Sequence, residues 1–134
     1  MSLATTIEAA LANAKALDAA TTELHDRIVE VEKLFKGLKL GVIASVPLGD
    51  GKKLAFGKDA GAWHLIYEDD NIHVPLVSAP RFVRLLAAAQ FEALLRELTA
   101  AIPLETQKVI RATEQCDELI DELAHFVATE KAST

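Results

Sequence analysis

Between Gly37 and Leu76 apolar and polar residues alternate in steps of two, and no other part of the chain reads this way. Leu38, Leu40, Val42, Ala44, Val46 and Leu48 alternate with Lys39, Gly41, Ile43, Ser45 and Pro47, the period of a strand with one face buried. Gly49-Asp50-Gly51 supplies a turn, Leu54 and Phe56 answer from a second strand, and Trp63, Leu65 and Tyr67 answer from a third. A loop over Gly49–Gly51 sets Val46 opposite Leu54 and Ala44 opposite Phe56, which keeps one face apolar. A slip of one residue would expose the whole set. By the same logic a four-residue loop, Lys58–Gly61, pairs Phe56 with Trp63 and Leu54 with Leu65. Asp69-Asp70-Asn71 makes the next turn, and Ile72, Val74 and Leu76 form a short last strand that Pro75 confines to an edge. The meander is expected over about 38–76.

The flanks are helical. From Ile7 to Phe35 the seam Ile7, Ala10, Ala14, Leu17, Thr21, Leu24, Ile28, Val31, Phe35 alternates steps of three and four without a break, with Asp18, His25, Arg27 and Glu32 beside it. That is heptad spacing with flanking polar residues. It predicts a helix over about 4–36 that Gly37 stops. Beyond the sheet, Ser78 as N-cap and Pro80 in the first turn predict a helix over about 79–101. Its broad stripe holds Phe82, Leu86, Ala89, Phe91, Leu94, Leu95 and Leu98. Pro103 then breaks the chain, and a last helix follows over about 104–130, with a seam at Val109, Thr113, Cys116, Ile120, Leu123 and Val127 widened by Ile110, Leu119 and Phe126. The expected fold class is α+β: a long N-terminal helix, an antiparallel meander of three to four strands, then two C-terminal helices, in one domain spanning 1–134.

Composition narrows the function. No apolar run approaches a membrane span, and Glu8, Lys15 and Asp18 interrupt the Ala-rich opening, so no secretory leader is expected there. The single Cys116 excludes an internal disulfide framework and fits a reducing cytoplasm, with the thiol read as a small buried hydrophobe in its seam. A net charge of −6 argues against nucleic acid and anionic membrane as partners. His25, His64, His73 and His125 do not pair with one another or with Cys116 at ligand spacing, so no metal or cofactor is expected. Gly49-Asp50-Gly51-Lys52-Lys53 lacks the later glycine and Lys-Ser/Thr pair of a phosphate loop, and it joins two strands. No serine, cysteine or carboxylate pair stands out as a catalytic constellation, and no enzyme activity is expected.

Two charge features remain. Arg81 and Arg84 fall in the first turn or so of a helix, where the macrodipole disfavours cations. Either Glu68, Asp69 and Asp70 pair with them, or they join His73, Ser78 and the helix amides in binding an anionic ligand. The ridge Glu114, Asp117, Glu118, Asp121, Glu122 places like charges four apart, at a few tenths of a kcal/mol for each pair. It is either a solvated face or a docking surface for a basic protein, with Asp117 and Asp121 as its centre. On the other face of the sheet Ile43, Ala55, His64 and Ile66 form a small apolar patch open to a helix or another chain. A first helix of about 33 residues spans about 50 Å, whereas a globule of this size measures about 36 Å across. The helix therefore overhangs, and Ile7, Leu11, Leu17 and Leu24 are expected to join two copies as a homodimer. The functional expectation is a non-enzymatic interaction module, an acidic chaperone-like adaptor; the alternative is a small-molecule-binding domain for an anion near Arg81 and Arg84.

Overall fold

A computed structural model describes residues 2–133. The fold is α+β: α1 (Leu3–Gly37), four strands β1 (Ala44–Gly49), β2 (Lys52–Asp59), β3 (Ala62–Asp69) and β4 (Ile72–Pro75), a 3-10 turn (Leu76–Ser78), α2 (Arg81–Ala88) and α3 (Phe91–Ser133). The strands form one antiparallel meander in sequence order. Both edge strands carry a proline, Pro47 in β1 and Pro75 in β4, which removes a donor from each open edge and discourages further pairing. Residue contacts divide the chain into two compact units between Leu98 and Thr99.

In the first unit the hairpin β1–β2 has the expected register, Val46 opposite Leu54 and Ala44 opposite Phe56. The means differ from a three-residue loop. Asp50 and Gly51, at φ 50° and 77°, form a two-residue turn, and a bulge between Pro47 and Gly49 restores the phase of the apolar face. The β2–β3 register is a correction: Phe56 faces Leu65 and Leu54 faces Tyr67, because the loop is the two-residue turn Ala60-Gly61, with φ 51° and 84°. The shift is by two residues, so each side chain keeps its face. Phe56 and Trp63 still stack, ring centres 5.3 Å apart, as diagonal neighbours. β1 begins at Ala44 and not near residue 38, since Lys39 and Gly41 take φ of 52° and 66°, which no strand accommodates.

α1 ends with Gly37 inside it and Leu38 as its cap. Phe35 meets Phe56 edge-on at 5.7 Å, so the C-terminal part of α1 covers the Val46–Leu54–Phe56 face. The core there is Ile28, Phe35, Val46, Leu54, Phe56, Leu65, Tyr67 and Leu76, with Val83, Ala87, Leu94 and Leu98 also buried. On the opposite face Ile66 is 2% exposed while Ile43 is 68% exposed, and Ile43 and Ile66 flank the bare backbone of Gly57. His73, across from Glu68 and thence Lys53, lies 3.3 Å from Glu68 and 4.0 Å from Asp59. Asp59 is six residues along β2 from Lys53, about 20 Å in a flat sheet. The sheet is therefore strongly coiled, and its two corners close toward each other on the Ile66 face.

The C-terminal helices depart from expectation. Ser78 ends the 3-10 turn and does not cap; Pro80 is the N-cap residue of α2, whose carbonyl accepts from Val83 and Arg84 N–H at 3.0 and 3.1 Å. The interruption falls at Ala89-Gln90, where Gln90 N–H turns back to the Ala87 carbonyl at 2.8 Å. Pro103 does not break the chain but lies inside α3. Its ring removes one amide from the ladder, and the helix continues beyond it to Ser133, with the Thr106 hydroxyl Oγ1 donating to the Ile102 carbonyl at 2.9 Å.

Candidate interaction surface

The heptad seam of α1 has two fates. From Leu24 onward it turns into the first unit, with Leu24 half-buried and Ile28 and Phe35 buried; from Ser2 to Ala20 every residue is exposed. Ile7, Leu11 and Leu17 are 49%, 60% and 49% exposed. Such side chains forgo much of the roughly 1.5–3 kcal/mol that burying each would contribute. The helix is capped at its start, where Ser2 Oγ accepts from Thr5 N–H at 3.2 Å. The start of α1 is thus capped while its apolar seam is left unburied.

α3 carries a second such stripe. Every described residue from Pro103 to Ala132 is exposed, including Val109, Ile110, Leu119, Ile120, Leu123, Phe126 and Val127. Cys116 is exposed with them, correcting its reading as a buried hydrophobe. Glu114, Asp117, Glu118, Asp121 and Glu122 are also exposed, and none forms an ion pair among the described residues. Nearer the start of α3, Arg96 reaches Glu92 at 2.7 Å and Lys108 reaches Glu105 at 3.7 Å. Of the other expected interface residues, Ile43 reaches solvent and Ile66 does not.

Glu32 is the polar residue that pattern reading misplaced. Beside the seam it resembles a solvated coiled-coil flank, yet it is only 8% exposed. The cause is the end of β4. The last β3–β4 pair is Ile66 with Pro75, after which the chain leaves the sheet in the 3-10 turn. The next amide, Leu65 N–H, donates instead to Glu32 Oε1 at 2.7 Å. His64 Nδ1 lies 3.3 Å from the same oxygen and Lys36 Nζ 3.7 Å from the other. A helix side chain thus completes a strand edge, and satisfies a buried donor that would otherwise be costly.

The proposed anion residues are only partly assembled. Arg81 and Arg84 lie one turn apart on α2, Arg81 exposed and Arg84 half-buried; Ser78 is exposed. Neither arginine forms an ion pair with Glu68, Asp69 or Asp70 among the described residues. His73 is engaged by Glu68 at 3.3 Å, in a cleft lined by Gly51, Lys53 and residues 68–73. Arg84 Nε is buried without a hydrogen-bond partner. On the other face of β3 the buried Tyr67 hydroxyl donates to Asp69 Oδ2 at 3.1 Å. Burial, then the bond to Asp69 and its negative charge, hold the phenol above its ordinary value of 10.0. Tyr67 therefore contributes stability that is complete below pH 10 and lost as pH rises through its folded value. The stability difference between wild type and Tyr67→Phe, measured in urea, is expected to stay constant up to about pH 9 and to shrink above 10; a difference flat to pH 11 would remove this role.

No group of His, Cys, Asp and Glu among the described residues is arranged to hold a metal ion, and no described helix is long and apolar enough to cross a membrane. Compared with known proteins, the chain matches no family, no curated relative and no solved structure.

Proposed function

We propose that this chain is a non-enzymatic interaction module that assembles as a homodimer and acts as an acidic adaptor for another protein. One observation carries the reading: a capped helix whose seam is exposed through Ile7, Leu11 and Leu17 and buried only from Ile28 on. Two first helices paired antiparallel about Ala12 set Ile7 across from Leu17 and Ala10 across from Ala14, large layers outside and close-packing small ones between. Leu24 borders this seam where it enters the first unit. Sedimentation at micromolar concentration is expected to return twice the chain mass of 14.5 kDa. A single-chain mass at every concentration would overturn the dimer.

A second reading, a domain binding a small anion at Arg81 and Arg84, rests on the unpartnered Arg84 Nε. One substitution separates it from a plain packing defect. Arg84→Met keeps the apolar stem, removes the orphaned donor and takes a cation off a helix start, so without a ligand it is expected to stabilise the fold by about 1 kcal/mol. If an anion is bound there, millimolar phosphate raises the wild-type melting temperature and Arg84→Met abolishes that rise. A flat wild-type response discards the anion site.

A further inference from the structure

The stripe on α3 has two unlike edges. Around the helix, Leu119 and Phe126 extend the seam of Ile120 and Leu123 on one side, with Glu122 beside them, while Asp117 and Asp121 border it on the other, about two and three turns beyond Ile110. We propose that this face binds an amphipathic helix of another protein, one whose apolar stripe is bordered along one edge by lysine or arginine. The inference rests on the adaptor reading and names its partner's chemistry.

The edges decide the occupant. In an antiparallel pair of identical helices like edges meet, so a second copy of α3 would set the Asp117 edge against itself. In a parallel pair the Asp117 edge meets the edge of Leu119, Glu122 and Phe126, so its carboxylates would lose water against leucine and phenylalanine or face another carboxylate. Both ways of covering the stripe with itself are penalised. The exposed part of α1 does not supply the missing charge either, since Lys15 is the only cation in residues 2–20. A foreign helix with cations along one edge removes both penalties. Its apolar residues cover the seam, its lysines meet carboxylates that have no ion pair among the described residues, and the chain's charge of −6 draws it in.

The test uses the full chain and two synthetic helical peptides of about three heptads. They share the same leucine and isoleucine face and differ only along one edge, lysine in one and glutamine in the other. Fluorescence anisotropy at low salt is expected to give the lysine peptide at least about a tenfold tighter Kd, an advantage that fades near 0.3 M salt. Asp117→Lys with Asp121→Lys, both exposed, is expected to erase the advantage while circular dichroism stays unchanged. Equal binding of the two peptides at low salt overturns the charge-selective partner. Binding of neither overturns the site. The same double variant still sedimenting as a dimer keeps the first-helix reading separate: loss of the lysine advantage without loss of the dimer belongs to this site, and a monomeric wild type that still prefers the lysine peptide counts only against the dimer.

Discussion

Replacing Glu32 with leucine is expected to lower the stability of the fold by about 3 kcal/mol, an unusual cost for an acidic residue on a helix with heptad spacing. Leucine fits the space, so packing is largely retained and the loss isolates the hydrogen bond. Leu65 N–H sits on a residue with no exposed surface and has no strand beyond it to accept the proton. Without the carboxylate that donor is buried and unpaired, and His64 loses its neighbour at 3.3 Å. Glu32→Gln keeps an acceptor oxygen and gives up the charge, and is expected to lose about 1 kcal/mol. Urea midpoints at unchanged slope measure both, and amide exchange at Leu65 should accelerate in the leucine variant beyond the global change. A leucine variant within about 0.5 kcal/mol of wild type would mean that water or another group reaches the Leu65 amide.

How much of this was legible in the chain depends on how far each cause reaches. The first hairpin could be registered from Val46, Leu54 and the Gly-Asp-Gly turn, because alternation and turn chemistry lie within a few residues of each other. In the second hairpin the faces were readable and the pairing was not. Both registers keep Leu54 and Phe56 inside, and only Ala60 taking a left-handed conformation, which alanine rarely does, selects between them. The stop at Ala89-Gln90 has neither glycine nor proline to mark it, while Pro103, the strongest local breaker, is carried through by the helix around it. No linker announced the division between Leu98 and Thr99, because it falls inside a helix. Glu32 was beyond sequence reading altogether, since its burial is set by where β4 ends, some forty residues away. The seams of α1 and α3 were plain as periodicity. Whether anything in its own unit covers each seam is a tertiary fact, and the exposure of Ile7 and Leu17 in the first unit and of Ile120 in the second supplies it.

Leu17→Asp is expected to shift the sedimenting species at micromolar concentration from twice 14.5 kDa to the single chain. In an isolated chain the substitution would be nearly silent: Leu17 is half exposed on a helix surface, where exchanges of this kind change stability by about 0.5 kcal/mol or less. The effect arises only if a second copy lies against it. In an antiparallel pair about Ala12 each Leu17 faces an Ile7, so every dimer contains two such layers and receives two carboxylates among apolar side chains. Burying a charge without a partner costs several kcal/mol for each, more than a short seam with two alanine layers contributes. Leu104→Asp, at a leucine outside this seam that is more exposed than Leu17, is expected to leave the mass unchanged. The wild-type melting temperature should rise with protein concentration, and that of Leu17→Asp should not, because only an assembled native state responds to mass action. If Leu17→Asp remains dimeric while an Ile120→Asp variant is monomeric, the seam that joins two copies belongs to α3, and both the first-helix dimer and the foreign-helix site on that stripe fall together.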